Sequence, residues 1–295
     1  MNDKMKNLAV RTLSGLVLVA VMLGAVVWSP ISFGLLLAVL LVGGMLEFYA
    51  LAAAKGARPQ RALGTVLGLL LFCLFYLPVI PDAPKAFGDW WLAAVGAPLL
   101  LSVPAMLICE LYRKNADPVA SVGTTLLGIC YVAVPLVCFG WLVSSLAVSA
   151  AAGWSPWIAV AYLCIIWAND VFAYLVGMAL GRHRLFERLS PKKSWEGFFG
   201  GLAGAVAVGI AAGWLFGGNL WAWGGLALVV AATGVLGDLT ESMFKRAAGV
   251  KDSGRSIPGH GGVLDRFDAV LLSAPFALIY LLFCRWALGI ELLVC

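Results

Sequence analysis

The feature that most restricts this chain is a succession of apolar runs, each close to the about 20 residues that a helix needs to cross the hydrocarbon core of a bilayer. They occupy residues 8–28, 31–53, 63–80, 91–111, 122–143, 157–179, 198–216, 220–236 and 269–288. Lipid offers no hydrogen bonds to exposed backbone, so such runs fold as helices that satisfy their own N–H and C=O groups. The expected fold is all-α: a polytopic integral membrane protein of about nine transmembrane helices. Composition agrees, because only 12% of the 295 residues are charged, 62% are apolar, and the mean hydropathy is +0.98. A soluble domain carries about 25% charged residues, so soluble classes are excluded. Pro135 interrupts the fifth run, and residues 122–152 read either as one kinked helix or as a helix with a re-entrant piece.

Positive charge tests this count. With the N-terminus in the cytoplasm, every one of the 20 Lys and Arg residues except Lys85 and Arg285 falls on the cytoplasmic side, as the positive-inside rule requires. Lys4, Lys6 and Arg11 before the first run resemble a signal peptide, but a second run follows at once and no small-residue cleavage site stands out. The run reads as a retained first span. The expected organisation is a single membrane domain over 1–295, with N-terminal transmembrane helices in 1–115. A catalytic region follows in 116–295, with cytoplasmic loops at 180–197 and 237–268. The net charge of +5 reflects basic loops, and no aromatic–basic interleaving points to nucleic acid. The seven cysteines have no ligand spacing and behave as small hydrophobes. Glu47 and Glu110, near the cytoplasmic ends of their spans, read as interfacial carboxylates, with a functional intramembrane carboxylate as the alternative for each. No inverted repeat of the transporter kind is evident.

Polar chemistry concentrates in three clusters. Asn169 and Asp170 lie in the middle of the sixth run, where a carboxylate costs ~2.5–3.5 kcal/mol to insert; Asp170 must therefore face a polar cavity, a cation or a partner. The second cluster is Ser190-Pro191-Lys192-Lys193-Ser194-Trp195-Glu196-Gly197, whose adjacent ammonium groups suit a polyanion such as a triphosphate. The third runs from Gly237 to Asp268. If its first part is helical, Asp238, Glu241, Ser242 and Lys245 share one face, as do Asp265 and Asp268. A glycine-rich turn between them lets backbone amides approach an anion. Carboxylates, cations and such a turn are the parts of a metal-assisted phosphoryl or nucleotidyl transfer, with Mg²⁺ the hard cation such oxygens suit.

The stretch from Ser242 to Asp268 resembles the signature of the phosphatidate cytidylyltransferases (CDP-diacylglycerol synthases). Ser242, Lys245, Arg246, Lys251, Asp252, His260, Gly261, Gly262, Asp265, Arg266 and Asp268 fill its fixed positions. The Ser-Pro-Lys-Lys-Ser-x-Glu-Gly loop and Asn169–Asp170 are similar to further features of that family, so the likeness covers roughly residues 167–268. It implies transfer of CMP from CTP to phosphatidate, releasing pyrophosphate. Asp238 and Asp265 are then expected as metal ligands, with Asp268 and Asp170 beside them. Lys245, Arg246 and His260 complete the catalytic set. The expected substrate-binding residues are Lys192, Lys193, Ser194, Glu196, Asn169, Lys251, Asp252, Gly261, Gly262 and Arg266. The implied cofactor is Mg²⁺, with a second cation left open, and the partners are CTP and a membrane lipid; a homodimer is compatible with the sequence. The implied location is the inner (plasma) membrane, with the active site facing the cytoplasm. Rival readings are a CTP-dependent polyprenol kinase, a cytidylyltransferase for another lipid phosphate and, from another class, a cation or proton transporter.

Overall fold

The computed structural model of the chain describes residues 3–80, 96–143, 155–257, 259 and 261–290. Its helices are α1 (Asp3–Trp28), α2 (Pro30–Ala54), α3 (Arg61–Tyr76), α4 (Ser102–Arg113), α5 (Pro118–Trp141), α6 (Trp157–Leu180), α7 (Trp195–Leu215), α8 (Leu220–Ala247) and α9 (Leu264–Leu288). A two-stranded antiparallel hairpin, β1 (Arg184–Phe186) and β2 (Ser190–Ser194), lies between α6 and α7. Among the described residues, seven helices are long and apolar enough to span a membrane: α2, α3 with its extension to Val79, and α5 to α9. α1 contributes a shorter apolar stretch, Thr12–Trp28. The chain is thus a helical, polytopic membrane protein.

Local chemistry sets the helix boundaries. Ser29 separates α1 from α2: its hydroxyl accepts from Ser32 N at 3.1 Å, Ser32 Oγ accepts from Ser29 N at 3.1 Å, and Pro30 occupies the first turn. Asp117 caps α5 by accepting from Ala120 N at 2.9 Å. Within α5, residues Ile129–Ala133 wind as a π-helix, and the N–H of Val134 donates to Ile129 O. Proline lacks a donor and its ring crowds the preceding turn, so the widened turn before Pro135 lets the helix continue to Trp141. The fifth run therefore forms one helix up to Trp141; residues 144–154 lie outside the described residues. α8 and α9 extend past their apolar runs, so Asp238 to Lys245 and Asp265 to Asp268 are helical. The 180–197 segment, read from sequence as a loop, contains the hairpin, whose paired strands satisfy part of its backbone.

Two compact units partition the chain, and neither is contiguous in sequence. The first comprises Met1–Val137 and Phe244–Phe267, the second Cys138–Met243 and Asp268–Cys295. In the first, α2 buries Phe33, Leu37, Leu41 and Met45, spaced four apart, while Leu35, Val39 and Leu46 face outward. Both faces are apolar because the outer one meets lipid. Below that stripe Phe48, Tyr131 and Phe244 pack together, with ring centroids 5.2 to 5.6 Å apart. In the second unit Trp223, Val230 and Tyr162 are fully buried. Tyr162 and Ser273 join hydroxyls at 2.6 Å, which ties α6 to α9.

Candidate active site

The second unit assembles a cavity from α6, the hairpin, α7 and α8. Glycines bring α7 close to α6. A Cβ at Gly201 would lie 2.6 Å from Asn169 Oδ1, and one at Gly204 would collide with the Phe172 ring. This close approach of small residues is how helices associate in lipid. It carries the hairpin that precedes α7 to the polar part of α6. Ser194 caps α7, accepting from Gly197 N at 3.1 Å. Glu196 accepts from Arg182 N at 3.1 Å and meets His183 Nδ1 at 2.6 Å, which anchors the start of the hairpin. Lys193 then pairs with Asp238 of α8, Nζ to Oδ2, at 2.5 Å. The resulting cavity of about 330 Å³ is lined on its polar side by Asn169, Asp170, Lys192, Lys193 and Asp238, and on its apolar side by residues that include Tyr174, Met178 and Phe198.

Asp238 also belongs to an acidic trio. Asp238, Glu241 and Asp268 each offer a carboxylate oxygen, and these oxygens all lie within 4.8 Å of one another. Gly237 makes this proximity possible, because any Cβ there would collide with the carbonyl oxygen of Asp268. Its bare Cα lets α9 approach α8 at the level of the two aspartates. Ser242 donates to Asp238 Oδ1 at 3.3 Å, and Asp268 Oδ1 accepts from Ala269 N at 2.7 Å. Three hard oxygen donors at this separation fit a divalent cation. Like charges this close repel one another, so a cation offsets the cost of gathering them.

In the first unit the glycine-rich segment before α9 is held by two carboxylates. Asp265 Oδ1 accepts from Lys245 Nζ at 2.7 Å; Oδ2 accepts from Ser253 N at 2.9 Å and Gly262 N at 2.8 Å. The second carboxylate is Glu47 of α2, more than 200 residues away in sequence. It accepts from Ser256 Oγ at 2.6 Å and from Val263 N and Leu264 N at 3.0 Å each. Ser253 Oγ lies 3.0 Å from both Glu47 and Asp265. Glu47 therefore caps the N-terminus of α9 from another helix. Sequence reasoning assigned it to the membrane interface, yet it is buried with 8% exposure. Its apolar neighbours in α2 were the only available signal, and they gave no hint of a partner. Gly261, at φ +84°, turns the segment, and Gly262 leaves space that a Cβ would take from Glu47 and Ser253.

The remaining expected residues divide by position. Lys192 is exposed at the cavity, and Arg246, Lys251, Asp252 and Arg266 are exposed in the first unit. Asn169 is buried beside Asp170. His260 lies outside the described residues.

These features define a class: a polytopic membrane protein in which lysines and carboxylates meet at a cavity. The chain matches the cytidylyltransferase family over residues 9–284, and it belongs to that family. It is 31% identical over 289 residues to a phosphatidate cytidylyltransferase of Synechocystis sp., an alignment covering 90% of this chain and 93% of that protein. It is 33% identical over 288 residues to the phosphatidate cytidylyltransferase of Haemophilus influenzae, covering 90% and 96%. A protein of the same name from Staphylococcus aureus is 47% identical over 120 residues, which are 40% of this chain and 46% of that one.

Proposed function

We propose that this chain transfers CMP from CTP to phosphatidate, forming CDP-diacylglycerol and pyrophosphate. The observation that carries the proposal is the junction, within one unit, of Lys193 with Asp238 at 2.5 Å and of Asp238 with Glu241 and Asp268. A phosphate oxygen of the lipid attacks the α-phosphorus of CTP in line; that P–O bond forms as the bond to the β-phosphate oxygen breaks. The nucleophile is already an anion and needs little help from a general base. What it needs is a site that holds two anionic reactants together.

Lys192 and Lys193 bind and orient phosphate oxygens at the cavity, and its apolar wall accepts the lipid side of the acceptor. Asp238, Glu241 and Asp268 would hold Mg²⁺, with Asp170 adjacent at the cavity; the cation supplies charge neutralisation on the phosphates during transfer. Lys245, Arg246 and the segment around Gly261 and Gly262 serve phosphate binding in the first unit. Asp265, expected from the family signature as a metal ligand, is best supported as the anchor of that segment, because Lys245, Ser253 and Gly262 surround its carboxylate. The active site faces the cytoplasm of a bacterial-type inner membrane; the distribution of Lys and Arg supports this orientation.

Purified protein with phosphatidate and CTP labelled at the α-phosphorus tests the reading. Label should enter the lipid in the presence of Mg²⁺ and not in its absence. Labelled CDP with an unlabelled lipid would indicate a kinase, and turnover only with another lipid phosphate would change the acceptor. Ion flux in proteoliposomes without CTP turnover would overturn the enzyme assignment.

A further inference from the structure

The first unit carries a cluster of three arginines, Arg58, Arg61 and Arg113, that the nucleotide chemistry proposed above does not use. The turn between α2 and α3 joins two spans and so lies at a membrane face. A cleft of about 540 Å³ opens there, lined by Arg58, Arg61 and Arg113 and by apolar surface that includes Leu63 and Cys109. Arg58 and Arg61 are exposed. Arg113 is held in place from below: its guanidinium pairs with buried Glu110 and reaches Ser121 Oγ at 3.0 Å. Ser121 in turn donates to Arg58 O at 2.7 Å, which fixes the turn that carries Arg58. Glu110 answers one of the three positive charges, so the cleft keeps a positive excess.

The backbone adds to this bias. Gln60 is the N-cap of α3, yet its side chain gives no capping hydrogen bond. Its Nε2 instead donates to Met106 O and Glu110 Oε1, each at 2.8 Å. Ala62 and Leu63, in the first turn of α3, line the same cleft, and a helix N-terminus favours negative charge. Gln60 lines the cleft too, and its buried Oε1 has no hydrogen-bond partner among the described residues. Guanidinium groups, a helix N-terminus and an apolar wall at a membrane face match a phosphate with an acyl-bearing backbone. Basic pockets between spans bind anionic lipid head groups in this way.

We propose that this cleft binds the phosphate of an anionic phospholipid, a site separate in composition from the lysine–carboxylate cavity of the second unit. The test uses the full chain, delipidated in detergent, with labelled phosphatidylglycerol as probe and phosphatidylcholine as the zwitterionic control. Wild-type protein should retain phosphatidylglycerol over phosphatidylcholine by at least about tenfold. Arg58→Gln/Arg61→Gln should lose that preference while keeping its thermal midpoint, since both side chains are exposed; Arg113 is left intact because its removal would strand Glu110. Excess CTP should not displace the probe. Equal retention of the two lipids, or an unchanged preference in the double variant, would overturn the site. Displacement by CTP would assign the probe to the nucleotide site instead, and displacement by millimolar inorganic phosphate would make it a site for a soluble anion. None of these outcomes depends on whether CMP transfer occurs, so the proposed reaction and this site fail separately.

Discussion

The two units each gather carboxylates and a lysine, but they use them differently. In the first, Glu47 and Asp265 are surrounded by donors from the protein itself: backbone amides of residues 253 and 262–264, serine hydroxyls and Lys245. Their charge is answered internally, and the result is a fixed segment. In the second, Asp238, Glu241 and Asp268 crowd together, with Lys193 arriving from the hairpin and a cavity alongside. The same residue types thus build a clamp in one place and a carboxylate cluster beside a cavity in the other; the difference lies in what surrounds the oxygens.

The largest expected effect comes from chelation. EDTA should reduce label transfer from CTP to background, with recovery on adding Mg²⁺, while Asp265 variants keep whatever difference in thermal midpoint they show without it. Asp238→Asn or Asp268→Asn should lower turnover by at least about 10²–10³-fold. Thermal unfolding should be unchanged or shifted upward, since crowded like charges are relieved. Asp265→Asn should act on both quantities. It leaves Lys245 without its carboxylate, which costs about 3–5 kcal/mol when such a pair is buried, and activity falls with it. Were Asp265→Asn to abolish turnover at full stability, the distinction between the units would break and Asp265 would join the metal-holding set.

Glu47→Gln sharpens the comparison from the far end of the sequence. An amide cannot accept from all of Ser256, Val263 and Leu264 with both ends, and the loss should be about 1–3 kcal/mol in denaturation, with turnover down about 10–100-fold through the displaced segment. The smallest effect is expected for Gly201→Ala. Its new methyl meets Asn169 Oδ1 at 2.6 Å and should cost about 1–3 kcal/mol, with a several-fold rise in KM as the hairpin shifts from α6.

Much of the fold was legible because a bilayer leaves so few options. Apolar runs of spanning length become helices, and the break between α1 and α2 falls at Ser29-Pro30, a capping signal readable by eye. Asp238, Lys193 and Asp170, singled out from residue type and depth, line the same cavity. Other features were not legible. Pro135 permitted either a break or an adjustment, and only the packed helix settles on a π-turn. Glu47 carried no local pattern, because its partners lie more than 200 residues on. Glu241 was noted as sharing a face with Asp238, but its place in a trio with Asp268 depends on α9 approaching Gly237.

By itself, the sequence determined that the chain lives in a membrane, that its apolar runs become helices, and where its polar residues cluster along the chain. Those outcomes follow from transfer energies and short-range spacing, which act along the chain. Tertiary structure alone decided which carboxylate meets which cation. Lys193 pairs with Asp238, Lys245 with Asp265, and Glu47 caps α9, although each aspartate had similar neighbours in sequence. Such pairing depends on contacts of a few ångströms between helices, set by where a missing Cβ lets two backbones touch. The polar residues were written in the chain; their division into a clamp and a site came from packing.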